Sequence, residues 1–161
     1  MLTFEELYKT YSPDVYRFAN WLTGDSDDAQ DITSDTFVRA WMNFGIIRTE
    51  TLKAYLFTIA RSIYLESVRK NRTFHPLEET HPDPHPRVEK MIEDQSELES
   101  IRNHLQTIPE IDRSAFVLRV QYDLPYAEIA RVLQSSENAV KVKVHRVRRK
   151  LLDIQSGKET P

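Results

Sequence analysis

A cluster of prolines near the middle of the chain most constrains its fold. Four of the eight prolines in the 161 residues fall within eleven positions, at Pro76, Pro82, Pro84 and Pro86. Proline lacks a backbone N–H and restrains the residue before it, so this stretch is expected to be extended. We predict a flexible linker over residues 73–94. The segments on either side are small enough that a single core is only marginally stable, so at least one half is expected to need a partner for rigidity.

On both sides of the linker, apolar residues recur at steps of three and four, the period of helices that face a core. The chain has only three glycines, and no segment alternates as a strand does. The sequence therefore predicts an all-α fold of two small helical domains joined by a Pro-rich linker. The predicted divisions are residues 1–72, the linker 73–94, residues 95–153 and a tail over 154–161.

The helices can be placed by their apolar stripes. Upstream, a short helix to Tyr11 is followed by a second one that begins at Pro13 with Ser12 as its N-cap; further helices cover about 26–43 and 50–71. Downstream, a stripe ends at Pro109, and helices follow at about 111–122, 125–133 and 137–152. The predicted core residues are Phe4, Leu7, Tyr8, Tyr11, Val15, Phe18, Ala19, Leu22, Ala29, Ile32, Phe37, Ala40, Trp41, Leu52, Tyr55, Leu56, Ile59, Ile63, Leu98, Ile101, Leu105, Ile108, Ala115, Phe116, Val120, Ile129, Ala130, Leu133, Val140, Val144, Val147 and Leu151.

Composition excludes several classes of function. There is no cysteine, and no apolar run approaches the roughly 20 residues that span a bilayer. Glu5 and Glu6 precede any cationic stretch, unlike a signal peptide, so a cytoplasmic location is expected. No phosphate-binding loop or nucleophile motif is present, so we expect neither an enzyme nor a cofactor. The linker histidines His75, His81 and His85 are too loosely spaced for a zinc site, and no metal is predicted.

The formal net charge of −3 hides a segregation of charge along the chain. Residues 61–73 carry four basic groups and one acidic group, and residues 113–152 carry nine and three. The intervening residues 74–112 carry three basic and ten acidic groups. Nucleic-acid binding depends on local charge because each phosphate contact is local. Two basic segments that each close a helical unit favour nucleic-acid binding, although a single charged run is usually a solvated face.

The second basic segment has the pattern helix, turn, helix over Tyr126–Lys150. Ser136 is a suitable N-cap for the last helix, in which four apolar side chains (Val140, Val144, Val147 and Leu151) fall on one side. The opposite side carries Asn138, Val142, His145, Arg146 and Arg149, and is flanked by Lys141, Lys143, Arg148 and Lys150. A helix in the major groove needs this distribution, with bases facing its exposed side and phosphates at its flanks. A basic helix that merely faces water, and a membrane-surface helix, remain alternatives; the second is disfavoured because the exposed side lacks Trp, Phe and Leu.

The motifs, taken together, resemble one known family. LPYAEIARVL at 124–133 followed by AVKVKVHRVR at 139–148 is similar to region 4 of extracytoplasmic-function (ECF) sigma factors. FEELY at 4–8, VYRF at 15–18, DDAQDI at 27–32, TFVRAW at 36–41 and AYLFTIAR at 54–61 resemble region 2, in the same order. The resemblance covers about residues 4–72 and 96–152. It implies a sigma factor that binds core RNA polymerase, reads the −10 and −35 promoter elements and is regulated by an anti-sigma factor.

The resemblance also implies roles for individual residues. Region 4 would read the −35 element through Ser136, Asn138, Lys141, Val142, Lys143, His145, Arg146 and Arg149. Region 2 would bind the −10 element through Asn43, Arg48, Arg61, Ser62, Arg69, Lys70 and Arg72. The clamp helices of the largest polymerase subunit would contact Asp28, Asp31, Asp35, Arg39 and Trp41, and the polymerase flap would contact the other surface of region 4.

Several residues depart from the family pattern. Ser62 and Glu66 stand where Asn and Asp are common, and Asn138, Ala139 and Val142 replace common Gly, Thr and Ser, which puts the promoter sequence in doubt. Gln134 replaces the usual glycine of the turn, so this turn is expected to be strained or differently shaped. Two other functions remain open: a helix-turn-helix regulator that acts without core polymerase, and a helical adaptor whose basic helix binds an acidic partner.

Overall fold

The computed structural model describes residues 2–44, 51–74 and 93–155, and within them the chain is helical without any strand. This confirms the predicted fold class. The helices, in chain order, are α1 (Phe4–Thr23), α2 (Ser26–Met42), α3 (Leu52–Phe74), α4 (Glu93–Gln106), α5 (Glu110–Val120), α6 (Tyr126–Leu133) and α7 (Glu137–Gln155). Most of the predicted linker, and with it His75, His81 and His85, lies outside the described residues.

The first helix is continuous, and the prediction of two helices separated at Ser12 is wrong. Pro13 lies inside α1 and cannot donate a hydrogen bond to the carbonyl of Lys9. Both residues are exposed, so water can satisfy that carbonyl. The helix continues because Leu7 and Val15, on either side of Pro13, are buried in the same core. Burial of this face outweighs the local cost of the proline.

Local signals fix the ends of the first two helices. Thr3 caps α1 through a capping box with Glu6, each side chain accepting from the other's backbone N–H. Gly24 ends α1 in the left-handed conformation with φ 72°, which glycine adopts without strain. The carboxylate of Asp25 then accepts from the N–H groups of Asp27 and Asp28 and caps α2.

The N-terminal half packs α1, α2 and α3 against one another around large buried side chains. Phe18 and Phe57 form its centre, with ring centroids 4.8 Å apart. In the C-terminal half, α5 packs against α6 and α7, and Val140, Val144 and Val147 of α7 are buried as predicted.

The two halves also pack against each other. Helix α3 contacts α6, and α1 contacts both α4 and α5. The Tyr122 ring of the C-terminal half lies 4.9 Å from the Phe57 ring of the N-terminal half. The buried apolar residues of both halves consequently form one continuous cluster. Helix α5 lies between the halves, which explains why Asp112, Arg113 and Ser114 on it are buried.

The predicted core is confirmed at most positions and wrong at four. Tyr8, Trp41, Leu98 and Val120 are exposed. Eight others (Phe4, Tyr11, Tyr55, Ile59, Ile101, Ile108, Phe116 and Leu151) are only partly buried. Buried residues that the periodicity did not identify include Ala54, Phe57, Ala60, Val117, Leu118, Leu124 and Val132. Several of the missed residues lie on α3, α5 and α6, the helices that contact more than one neighbour.

Candidate nucleic-acid interface

The C-terminal helix pair has the geometry that the sequence predicts. The Ser136 hydroxyl accepts from the N–H of Ala139 at 3.1 Å, so Ser136 is the N-cap of α7. Gln134, at the end of α6, has φ 55° and ψ 52° and is left-handed. The position that usually holds glycine therefore keeps its left-handed conformation although a glutamine occupies it, and the expectation of a strained turn is confirmed.

One side of α7 is buried and the other faces solvent. Asn138, Val142, His145, Arg146 and Arg149 are all exposed, as are the flanking Lys141, Arg148 and Lys150, whereas Lys143 is half-buried. Val142 is 54% exposed in the middle of this cationic surface. An exposed apolar side chain surrounded by cations suits contact with a thymine methyl between two rows of phosphates.

Two contacts hold cationic side chains of α7 against neighbouring helices. Lys141 Nζ lies 5.6 Å from the ring centroid of Tyr126 in α6, and the Arg119 guanidinium lies 4.4 Å from the same centroid. Arg146 donates to the carboxylate of Asp112 in α5 at 3.2 Å. The Asp112 side chain is only 9% exposed, whereas that of Arg146 is 53% exposed. Each contact restricts a side chain that the sequence predicts to touch DNA; Asp112, Arg119 and Tyr126 were missed because no pattern within one helix identifies them.

The residues predicted for the −10 element lie mainly on α3. By helical spacing, Arg61, Ser62 and Arg69 share one side of α3 and Lys70 lies beyond it. Ser62, Arg69 and Lys70 are exposed, and the side chain of Arg72 lies outside the described part of the chain. Arg61 is instead paired with Glu110 of α5. The exposed Asn43 ends α2 and its side-chain amide donates to the Arg39 carbonyl. Arg48 lies outside the described residues.

The residues predicted to bind polymerase form an exposed surface on α2. The spacing of Asp28, Asp31, Asp35 and Arg39 places them on one side, where all four are exposed. Trp41 is 60% exposed and packs edge-on against Phe4, with ring centroids 5.0 Å apart. Two further apolar residues of α2, Val38 and Met42, are exposed beside them. They stand three and seven residues after Asp35, a helical spacing that could have identified them. We call the set Asp28, Asp31, Asp35, Val38, Arg39, Trp41 and Met42 the α2 surface.

Charge at the start of α2 is crowded. Partial burial, reinforced by the nearby carboxylates of Asp25, Asp31 and Asp27, raises the pKa of Asp28. Asp28 is nevertheless on the exposed side of the helix, so the shift is screened by water. Across the described residues, no cluster of His, Asp and Glu side chains could hold a metal ion. Nor does any described helix combine the length and apolarity needed to cross a bilayer.

Comparison with known proteins identifies both halves. Residues 7–74 match the Sigma-70 region 2 family and residues 98–151 match the Sigma-70, region 4 family. The chain is 28% identical to the ECF RNA polymerase sigma factor SigM of Bacillus subtilis, over 93% of each chain. It is 32% identical to the ECF RNA polymerase sigma factor BldN of Streptomyces coelicolor, over 92% of this chain and 58% of BldN.

Solved structures share the fold. The sigma factor RpoE in complex with the anti-sigma factor NepR from Bartonella quintana has a TM-score of 0.79 at 23% identity, over 95% of this chain and 96% of RpoE. CnrH in complex with the cytosolic domain of CnrY has a TM-score of 0.69 at 22% identity, over 97% of this chain and 89% of CnrH. With matches to both regions in the expected order, the chain belongs to the sigma-70 family, in its extracytoplasmic-function group of RNA polymerase sigma factors.

Proposed function

We propose that this sigma factor joins core RNA polymerase and directs it to promoters by binding both a −10 and a −35 element. The observation that carries the proposal is the exposed side of α7, where four Lys and Arg side chains surround Val142. A helix with one buried valine stripe and one cationic side can enter a major groove without unpacking its own core.

For the −35 element, the residues divide by the contact that each can make. Lys141, Lys143 and His145 fit phosphate contacts, which set position and register. Arg146 and Arg149 can donate two hydrogen bonds to guanine, Asn138 can pair with adenine, and Val142 can contact a thymine methyl. Ser136 caps the helix and can donate its hydroxyl to a phosphate at the N-terminus.

For the −10 element, we assign the side of α3 that carries Arg61, Ser62 and Arg69, together with Lys70, Arg72 and the preceding Asn43 and Arg48. Single-stranded DNA is bound through backbone charge and through the exposed pairing edges of unstacked bases. The division into residues 1–72 for −10 and polymerase binding and 95–153 for −35 binding, with a linker over 73–94 and a tail over 154–161, is part of the proposal. A linker of that length reaches at most about 80 Å when extended.

For polymerase, we assign the α2 surface. It combines three carboxylates with three exposed apolar side chains, among them Trp41. Exposed aromatic and Met side chains are enriched in protein interfaces, and the carboxylates would select a basic partner. The clamp helices are the proposed partner, with the flap on the C-terminal half. A cytoplasmic location is part of the proposal, because its partners are core polymerase and promoter DNA.

We also propose an anti-sigma factor as regulator. The two solved relatives are each in complex with another protein, in one case a named anti-sigma factor. The described part of this chain holds no helix outside those of the two family regions, apart from the first turn of α1, the start of α4 and the last turn of α7. An inhibitor on a separate protein fits that organisation.

The test is a pull-down of core polymerase followed by run-off transcription on genomic fragments. Lys141→Glu and Arg149→Glu should weaken promoter-directed transcription at least tenfold and leave polymerase binding intact. Lys9→Glu, an exposed charge reversal on α1, is the matched control. Asp31→Asn with Asp35→Asn should weaken polymerase binding. If Arg149→Glu transcribes as well as the parent protein, the assignment of α7 to the −35 element is refuted.

A helix-turn-helix regulator that acts without polymerase is the other outcome of this experiment. Such a protein would bind duplex DNA alone and would ignore the substitutions on the α2 surface. An adaptor that binds an acidic partner would yield no promoter-dependent transcript.

A further inference from the structure

One ion pair joins the two halves at a residue assigned to DNA. Arg61 of α3 donates from Nε to Glu110 Oε2 at 2.5 Å and from Nη2 to Oε1 at 2.9 Å. Glu110 is the first residue of α5, and its Oε2 also accepts from the Ser114 hydroxyl at 2.7 Å. The two side chains are only 13% and 16% exposed. This two-bond, partly desolvated geometry is the strongest form of an Arg–carboxylate pair.

A second arginine of α5 reinforces the same interface. Arg113 Nη1 donates to the carbonyls of Leu105 and Ile108 in its own half, while Nη2 reaches the Leu22 carbonyl and the Tyr64 hydroxyl in the other half. Leu22 and Leu105 lie in the last turns of α1 and α4. Carbonyls there carry the negative end of the helix dipole, which stabilises a cation that has no carboxylate partner.

Further polar contacts between the halves accompany the packing of Tyr122 on Phe57. The Tyr122 hydroxyl donates to the Asp14 carbonyl, and Gln106 donates to the Trp21 carbonyl at 2.8 Å. The Arg102 guanidinium lies over the Trp21 ring. The halves also share an apolar cluster, but interfaces between domains of one chain are more polar than obligate interfaces, and these hydrogen bonds and charges supply such a polar part.

We propose that Glu110 takes the place of a DNA phosphate on Arg61, so that the free protein holds its −10 surface closed against its own C-terminal half. The proposal rests on the assignment of Arg61 to the −10 element. An arginine guanidinium binds a carboxylate and a phosphate through the same pair of parallel hydrogen bonds. Both ligands need that pair, so Arg61 cannot hold Glu110 and a phosphate in the same geometry at once.

The consequence is an equilibrium between a closed and an open protein. Single-stranded DNA binds the open form. It shifts the equilibrium toward that form only as far as its affinity for the open form exceeds its affinity for the closed form. The apparent affinity for DNA is therefore lowered by the fraction of protein that is closed. Removing Glu110 should remove this penalty even in the absence of polymerase.

The first experiment measures the separation of the halves in the full-length protein by fluorescence energy transfer between two dyes. The chain contains no cysteine, so Lys9→Cys on α1 and Ala127→Cys on α6, both exposed, can carry a donor and an acceptor dye. Glu110→Gln should raise the ratio of open to closed protein on the order of tenfold, as expected for the loss of one charge-assisted contact. Glu99→Gln removes the same charge from an exposed site on α4 and should change nothing. The exchanged pair Arg61→Glu with Glu110→Arg should close the protein again.

The second experiment measures binding to a fluorescein-labelled pool of random 20-nucleotide single-stranded DNA. Glu110→Gln should bind several-fold more tightly than Glu99→Gln, whereas the exchanged pair should bind weakly although it is closed. Equal energy transfer in Glu110→Gln and Glu99→Gln would overturn the proposal, and so would an open Glu110→Gln protein with unchanged DNA affinity. Circular dichroism verifies that each variant is folded. The two proposals can fail separately. If the closed state depends on Glu110 but the protein never supports promoter-directed transcription, the proposed function is refuted and the role of Glu110 in closure is supported.

Discussion

Replacement of Gln134 by glycine should stabilise the protein. Gln134 adopts φ 55° and ψ 52° between α6 and α7, and its N–H donates to the Ala130 and Arg131 carbonyls. The side chain is exposed. Glycine can keep both backbone hydrogen bonds and removes only the contact of Cβ with the backbone, which is what disfavours this conformation.

The expected gain follows from two opposing terms. The left-handed conformation costs an L-residue roughly 1–2 kcal/mol. Glycine has more conformational freedom to lose on folding, which returns about 0.4–1 kcal/mol. The net gain is about 0.5–1 kcal/mol, or roughly 1–4 °C in the midpoint of thermal unfolding for a chain of this length.

The assay is urea and thermal unfolding of Gln134→Gly beside two other exposed positions. Asp123 is also left-handed, with φ 53°, but aspartate tolerates this region better, so Asp123→Gly should gain less. Gln121 ends α5 with an ordinary φ of −84°, so Gln121→Gly should lose about 0.5–1 kcal/mol. If Gln134→Gly destabilises the protein as much as Gln121→Gly, the account of strain in this turn is refuted. Since α7 keeps its position, Gln134→Gly should bind the −35 element as the parent does.

Three further predictions concern residues away from that turn. Arg113→Met should cost about 3 kcal/mol in urea unfolding, because it leaves buried carbonyls of both halves without their donor; an unchanged midpoint would show that water replaces the guanidinium. Thr3→Ala should cost about 1 kcal/mol by removing one half of the capping box on α1, and Thr10→Ala, exposed on the same helix, is its control. Because the folded state raises the pKa of Asp28, its charged form is destabilising above that pKa, and the penalty is lost as the pH falls through it. Asp28→Asn should therefore raise the thermal midpoint at pH 7 and lose this advantage in acid, which a series of melts from pH 7 to pH 3 against Asp35→Asn would reveal.

Local chemistry accounts for the parts of the site that the sequence predicted. The N-cap at Ser136 and the valine stripe of α7 depend on hydrogen bonds and burial within one helix, and their spacing is visible in the sequence. The strain at Gln134 followed from a single substitution at a position whose backbone geometry is fixed by the turn. The acidic side of α2 was assigned through the resemblance to the family, and its exposed residues share one side by helical spacing.

Packing between the halves accounts for what the sequence could not predict. Pro13 predicts a break in the helix, but α1 continues through it because residues before and after Pro13 are buried in the same core. Asp112, Arg113 and Ser114 look like solvent-facing residues by composition, yet all three are buried because α5 lies between the halves. Trp41 shows the reverse, since an aromatic residue at a core spacing is left exposed at the edge of α2. The apolar period of a helix predicts one buried side, and it cannot predict that another side is buried against a second helix.

Helix α5 holds one arginine of each assigned DNA-binding surface, and the two pairs should respond differently when the halves separate. Glu110 and Arg61 belong to different halves, so their pair must break on opening. Asp112 and Arg146 belong to the same half, and their pair can survive. The Arg146 side chain is also half exposed, so a phosphate or base can reach it without any movement of α5. Opening therefore exposes the −10 surface, whereas the −35 surface is already accessible in the closed protein. On this reasoning the free protein would meet duplex DNA through α7 first, and Arg61 would become available only when another partner, polymerase or single-stranded DNA, holds the halves apart.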